Sequence, residues 1–329
     1  MKKATAVAHS NIALIKYWGK QDEGLRLPMN ASVAIGLEEA LTTTTVEFDE
    51  KLDKDEVSII GDEFNEMETA KVSQHLDRVR ALAGIKTRAR VVSQNNFPKA
   101  AGMASSASGF AALTVAAAGA TELNLSEKEL SILARQGSGS ASRSVPGSVS
   151  VWYTGATSEE SYAEPITFPK NWKLKVLMVM AEGTGAKKVG STEGMALSKK
   201  NCPYYSTAVS EAGNNLERLK EAMGKGDWSG FGKVIEDECF RLHAVCMTTT
   251  PNILYWKGVT VEVFQTLYKL RERGIEAFFT VDAGPHVHVI VKDENVGEVK
   301  QALSELSGVK TIIETGIGGA ARLIEQHLF

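Results

Sequence analysis

What this sequence lacks narrows its function before any motif is read. Its 329 residues hold three cysteines, Cys202, Cys239 and Cys246, widely placed and with no CxxC. A disulfide framework or a zinc site is therefore not expected, and a cytoplasmic, reducing location fits. An excess of one charge is also missing: 37 Lys+Arg against 40 Asp+Glu leave a formal net charge of -3. That balance points away from nucleic acid and from membrane surfaces as partners. No stretch reaches the roughly 18 apolar residues needed to span a bilayer. The opening MKKATAVAHSNIALIKYWGK begins like a signal peptide, but His9, Asn11 and Lys16 interrupt any apolar run. There is no repeat and no low-complexity tract. What is present, 43% hydrophobic and 23% charged residues, can build a full core without staples, as one large domain or two ordinary ones.

The first 50 residues read as strands: 4–9, 32–37 and the Thr/Val run 42–48. Residues 66–83 have helical spacing, with Val72, Leu76, Val79 and Leu82 on one face. A strand over 88–92 leads into the turn NNFPKAAGMASSASG and a small-residue helix ending near 119. Ser126 caps the next helix, which runs to about 135, and Glu129 completes a capping box. After a buried strand at 173–180 the texture changes to long helices over 204–223, 228–245 and 259–273. Strands at 277–281 and 287–291 bracket a DAGP turn; a helix near 296–306 and a strand near 310–314 complete the pattern. A β-rich first half and an αββαβ-like second half predict an α+β protein of two lobes. Their boundary falls near 180–190, with functional residues facing the cleft between them.

Five segments carry chemistry. PKAAGMASSASG, from Pro98 to Gly109, runs from a strand through a glycine-bearing turn into an Ala/Ser helix. Its small residues let backbone N–H groups approach a phosphate, or simply let a helix start pack tightly. No GKS or GKT follows, so it is not a Walker A loop. In NIALIKYWGK, Lys16 and Lys20 flank an aromatic pair, either an electropositive rim or solvated surface lysines. GSGSASRS, from Gly137 to Ser144, gathers four hydroxyls around Arg143; apolar flanks favour an anion site over a flexible linker. FFTVDAGP ends an apolar strand on Asp282, which taken alone is a turn-former. KKVGSTEGM, from Lys187 to Met195, is a polar turn before a helix, where Ser191 or Thr192 would serve as an ordinary N-cap.

In order along the chain, NIALIKYWGK, NNFPxAAGxASSASGFAAL, ARxGSGSASRS, GSTxGM, LHAVC and TxDAGP span residues 11 to 285. This set resembles the mevalonate diphosphate decarboxylase family of the GHMP kinase superfamily. The resemblance implies an α+β, two-lobed GHMP kinase fold. Residues 1–183 would form a lobe like ribosomal protein S5 domain 2 that carries the ATP phosphate loop. Residues 184–329 would form a ferredoxin-like lobe carrying the catalytic aspartate. It implies that ATP phosphorylates a tertiary 3-hydroxyl, after which phosphate and CO₂ leave to give isopentenyl diphosphate. Asp282 then matches the catalytic aspartate, Lys16 a lysine beside the reacting centre, and Arg143 the arginine that holds the substrate carboxylate. Ser138 and Ser140 match serines of that pocket, and Asn11 an adjacent polar contact. Ser106 matches the serine near the transferred phosphate, and Tyr17, Lys20 and Ser191 match positions near the substrate's phosphates. For the nucleotide, Gly102, Ala104, Ser105 and Ser106 would form the phosphate loop, and Ser93 would contact adenine. ATP and Mg²⁺ are the expected cofactors, with the metal held mainly by phosphates and hydroxyls rather than by a protein metal site. A small-molecule substrate and a homodimer are the expected partners.

Two features depart from the family pattern. Lys99 stands where threonine is frequent, and the tail ETGIGGAARLIEQHLF is more like archaeal-type phosphomevalonate decarboxylases, which take the monophosphate. The retained Lys20 favours the diphosphate. A GHMP kinase that stops after phosphorylation would lack Asp282 or Lys16, and both are here. A non-catalytic binding protein on the same fold would form no ADP with added substrate.

Overall fold

The first strand, β1 (Lys3–Ile15), is buried continuously from Thr5 onward. Both of its faces are covered, which is why its apolar alternation is weak in the sequence. The structure is a computed structural model that describes residues 2–63, 65–97, 105–183 and 188–329. A short hairpin, β2 (Lys20–Asp22) and β3 (Leu27–Pro28), leads to β4 (Ser32–Asp49). The two strands expected at 32–37 and 42–48 are thus one. His9 pairs with Leu41 while Ser10 pairs with Leu37, so exposed Glu38 and Glu39 mark a bulge rather than a turn. β5 (Glu56–Ile60), α1 (Glu66–Ala83) and β6 (Arg88–Asn95) form a crossover in which β5 and β6 run parallel. Val72, Leu76 and Val79 are buried as expected, but Leu82 is 57% exposed. At about 100° per residue it lies about 80° round the helix from Val72, off the packed face.

α2 (Ser105–Ala120) is buried on almost every side, and its alanines pack against Ala6 and Ala8 of β1. In α3 (Glu127–Gly137) Ser126 and Glu129 make the expected capping box. The one-turn α4 (Ala141–Ser144) and the strands β7 (Val149–Trp152) and β8 (Ala163–Pro165) follow. Next come β9 (Leu174–Ala181), α5 (Ser191–Asn201), α6 (Tyr205–Lys225), α7 (Trp228–Thr248) and α8 (Gly258–Glu272). The chain closes with β10 (Ala277–Thr280), β11 (Val287–Lys292), α9 (Val296–Ser304), β12 (Val309–Thr315) and β13 (Arg322–Ile324).

The result is a mixed α/β architecture. One sheet of seven strands runs β13-β1-β4-β6-β5, with β7 on the first half of β4 and β8 beyond it. A second sheet runs β10-β11-β9-β12. β9 lies between β11 and β12 in that second sheet, so a division at 183 would separate it from the strands it is bonded to. The tail returns to the first sheet through β13. There Gly147, at φ +60, sits so close to the backbone of Gly319 that any Cβ would overlap the Gly319 carbonyl oxygen, an approach only glycine permits. α6 and α7 cover β1, β4 and β9 in one core containing Ile12, Leu14, Ile35, Val176, Leu219 and Phe231. Among the described residues, no helix is long and apolar enough to cross a membrane.

Candidate active site

Lys16 follows the last residue of β1 and Asp282 lies two beyond the end of β10. Their side chains meet: Lys16 Nζ donates to Asp282 Oδ1 at 2.7 Å and to the Ala13 carbonyl at 2.8 Å. Lys16 is 1% exposed, whereas the Asp282 side chain keeps 26% of its surface open. Burial pushes the Asp282 pKa up. The Lys16 charge and hydrogen bond, with His288 and Arg143, outweigh that and hold it below the usual carboxylate value. Asp282 is therefore a carboxylate at neutral pH, restrained but open to the cavity. Thr280 Oγ1 also donates to the Ala13 carbonyl at 3.2 Å, joining the two strand ends.

The position of Lys16 depends on residues with no motif of their own. Glu238 of α7 is fully buried. It accepts from Lys16 N at 2.9 Å, from Asn215 Nδ2 at 2.8 Å and from Arg241 Nε and Nη2 at 2.6 Å each. A buried carboxylate with this many donors is satisfied and immobile. Asn30 Nδ2 donates to the Lys16 carbonyl at 2.9 Å.

Arg143, on α4, is 4% exposed and has no carboxylate partner among the described residues. Nη1 donates to Ser32 Oγ at 2.7 Å and Nη2 to Asn11 Oδ1 at 3.2 Å, while Nε is buried without a partner among the described residues. Burial lowers its pKa to about 10, against the raising effects of Asp282 and Tyr17. It remains a cation, and a buried cation with neutral partners is an anion receptor. Asn11 does not line the cavity; its Nδ2 donates to Ser144 Oγ at 2.7 Å and to the Ser140 carbonyl at 3.2 Å, and it thereby holds Arg143 in place.

Serine hydroxyls cross-link the neighbouring wall. Ser138 Oγ lies 3.2 Å from Ser106 Oγ and 3.3 Å from Ser140 Oγ. A Cβ on Gly139 between them would stand 2.8 Å from the Tyr17 hydroxyl, so the turn must be glycine for the ring to fit. The Tyr17 ring meets Trp152 edge-on at 4.7 Å, and its buried hydroxyl has no partner among the described residues. Lys20 is buried and donates to Glu23 Oε2 at 2.5 Å. Ser191 is the first residue of α5, whose N-cap is Gly190 with no side-chain cap bond. The expected capping by Ser191 or Thr192 does not occur, because the helix starts one residue earlier, and both side chains line the cavity instead.

Lys16, Tyr17, Lys20, Ser138, Ser140, Arg143, Ser191 and Asp282 thus line one cavity of about 240 Å³. A second cavity, about 190 Å³, is lined by Val57, Ile59, Val91, Ser93, Phe110 and Leu113 among others. The two share Ser105 and Ser106 at the start of α2. Ser93 Oγ is paired with Thr44 Oγ1 at 2.9 Å. Gly102, Ala104 and Lys99 lie outside the described residues.

Residues 8–163 match the family model of the diphosphomevalonate decarboxylase-like N-terminal domain, and residues 176–325 that of the mevalonate 5-diphosphate decarboxylase C-terminal domain. The chain belongs to the diphosphomevalonate decarboxylase family. Within it, the chain is 32% identical to a phosphomevalonate decarboxylase of Haloferax volcanii over 98% of both chains. It is 31% identical to a diphosphomevalonate decarboxylase of Candida albicans, over 100% of this chain and 96% of the relative. The crystal structure of the Staphylococcus aureus mevalonate diphosphate decarboxylase superposes with a TM-score of 0.94, at 37% identity and 98% coverage of each chain. The MDDEF structure in complex with MVAPP, AMPPCP and magnesium gives 0.93, at 38% identity and 99% coverage of each.

The motifs of this diphosphomevalonate decarboxylase family member converge from residues 16 to 282 onto one cavity. Its sequence motifs do not reveal Glu238, Asn30, Ser32 or Arg26. Glu238 reads as one more charge on an amphipathic helix, and Arg26 sits in a hairpin too short to be recognised.

Proposed function

We propose that the chain catalyses the ATP-dependent decarboxylation of mevalonate 5-diphosphate to isopentenyl diphosphate. The observation that carries this reading is the Lys16–Asp282 pair lining the same cavity as Arg143, a buried cation without a carboxylate partner among the described residues. A tertiary hydroxide is a poor leaving group, and ATP supplies the phosphoryl group that makes it a good one, with Mg²⁺ neutralising phosphate charge. Asp282 accepts the hydrogen bond of the substrate 3-hydroxyl and orients or deprotonates it. Lys16 keeps Asp282 ionised and offers positive charge beside the reacting centre. Arg143 grips the carboxylate that is lost, so that its C–C bond lines up with the breaking C–O bond.

The nucleotide fits the second cavity, whose largely apolar walls, which also include Glu68 and Lys71, suit a base. Ser93 would lie beside the base, and the start of α2 would meet the phosphates. Ser106 is exposed and, among the described residues, its hydroxyl is bonded only to the Ser138 hydroxyl, so it has capacity for a phosphate oxygen or a metal ion. Among the described residues no three His, Cys, Asp or Glu groups form a metal site. Phosphate oxygens with the Ser105 and Ser106 hydroxyls are thus the donor set that suits Mg²⁺. Tyr17, Lys20 and Ser191 would meet the substrate's phosphate end, and Ser138 and Ser140 would line the pocket of Arg143 at the substrate's carboxylate.

The two sheets support a two-lobed GHMP kinase fold, with an S5 domain 2-like lobe and a ferredoxin-like one. The pairing of β9 supports a junction before Leu174 rather than at 183. The homodimer stays a proposal, to be read from sedimentation of the purified chain.

A second reading, decarboxylation of the monophosphate, is supported by the Haloferax relative and by Glu23, which already neutralises Lys20. Turnover of both substrates, with ADP and CO₂ measured in parallel, decides. Equal ADP and CO₂ with a higher kcat/KM for the diphosphate is expected. A preference for the monophosphate selects the second reading, and ADP without CO₂ makes the chain a kinase.

A further inference from the structure

The cavity that holds Asp282 is lined by four side chains that carry positive charge: Lys16, Lys20, Arg26 and Arg143. Two already have a carboxylate, Lys16 with Asp282 and Lys20 with Glu23. Arg143 and Arg26 have none among the described residues. Arg143 is buried and Arg26 half-buried, so one acid-free guanidinium lies deep and the other nearer solvent. A substrate with a carboxylate at one end and a phosphate at the other presents two anions to such a cavity.

Arg26 is held for this task. It lies in the connection between β2 and β3, where Leu25 N donates to Asp22 Oδ1 at 2.6 Å and the Leu25 carbonyl accepts from Arg135 Nε at 3.0 Å. Arg26 itself adopts φ +54, a left-handed conformation that a long side chain rarely takes and that surrounding contacts must impose. Its Nε donates to the Gln136 carbonyl at 3.0 Å. That bond fixes the guanidinium and leaves both terminal nitrogens without a partner among the described residues. A second unused donor is close by: the Tyr17 hydroxyl is buried and has no partner among the described residues. Burial pushes the Tyr17 pKa up, while the charges of Arg26 and Arg143 oppose it, as befits neighbours in one cavity.

We propose that Arg26 is a substrate-specificity residue whose terminal nitrogens bind the terminal phosphate of the substrate, with the Tyr17 hydroxyl as the adjoining donor. This rests on the functional reading above and assigns its phosphate end. A planar fork anchored through Nε can meet two phosphate oxygens at once, which Lys20, committed to Glu23, cannot.

The test uses Arg26→Gly and Arg26→Lys in the full-length chain, with whichever of mevalonate 5-diphosphate and mevalonate 5-phosphate the native enzyme turns over faster. Glycine accepts positive φ, so Arg26→Gly removes the guanidinium without straining the hairpin, and its melting temperature should not fall. The expected result is a rise in KM for that substrate of about 10- to 100-fold, with kcat and the KM for ATP within about threefold. Calorimetric affinity for the same substrate, without ATP, should fall by a similar factor, and Arg26→Lys should recover only part of it. An unchanged substrate KM overturns the assignment, as does a parallel rise in the KM for ATP or a loss confined to melting temperature. Turnover of neither substrate by the native chain overturns the functional reading itself. Native turnover with an unaffected Arg26→Gly variant overturns only the role of Arg26.

Discussion

The two cavities that meet at Ser105 and Ser106 are built in opposite ways. The apolar one is assembled from β4, β5, α1, β6 and α2, a contiguous part of the chain, and its walls are chiefly Val57, Ile59, Val91, Phe110 and Leu113. The charged one draws on β1, the β2–β3 hairpin, α4, α5, α7 and the turn after β10. The first can loosen by degrees, since each apolar contact contributes little and none is directional. The second depends on a few charge-assisted hydrogen bonds among buried groups, where the loss of one partner leaves another uncompensated. A neutral base suits the first construction, and an anion that must be oriented for bond cleavage requires the second.

The sharpest way to break the charged cavity is Asp282→Asn, which keeps the shape and removes the carboxylate. Turnover should fall by about 10³-fold or more, with nucleotide affinity unchanged. Near-native turnover would reduce Asp282 to a turn-former. Arg143→Lys keeps the charge but loses the fork. Substrate KM should rise and decarboxylation slow, together costing about 100-fold in kcat/KM. Equal weakening of an analogue without the carboxylate would assign Arg143 to the fold instead. Ser106→Ala strikes where the cavities join. Phosphoryl transfer in single-turnover experiments should slow by about tenfold to a hundredfold, with the melting temperature preserved.

In the apolar cavity the effects should be small. Ser93 Oγ is already engaged by Thr44, so Ser93→Ala should change the KM for ATP by less than about threefold; a larger change would make Ser93 a direct nucleotide contact. The smallest expected effect is on stability in acid. The folded pKa of Asp282 lies below its ordinary value of 3.8. Its contribution is therefore present above pH 3.8 and is lost as pH falls through the lower, folded value. Denaturation midpoints of Asp282→Asn should lack that part of the acid slope, and identical slopes would show that the pair does not couple to folding.

The local part of the architecture is legible in the sequence because it rests on local interactions. The capping box of Ser126 and Glu129 and the limits of α1 depend on residues three or four apart. Arg143 and its serines are legible because their chemistry is concentrated in one short segment. Leu82 falls outside the core because a helix face is narrower than its apolar pattern suggests. β4 reads as two strands because a bulge and a turn leave the same polar interruption, and only pairing with β1 tells them apart. β13 escapes notice because a three-residue edge strand has no period to detect.

Short-range physics, encoded within a few residues, determined the longer helices, most of the longer strands and Arg143 as a candidate anion site, while the ordered set of motifs along the chain singled out Asp282 and Lys16. The tertiary structure decided what each could do. It placed Lys16 against Asp282 across 266 residues and Glu238 beneath Lys16 across 222. It also left Arg26 without an acid among the described residues while giving one to Lys20. A charge's role depends on burial and on its nearest partner, and both are set by chain segments that sequence spacing does not bring together.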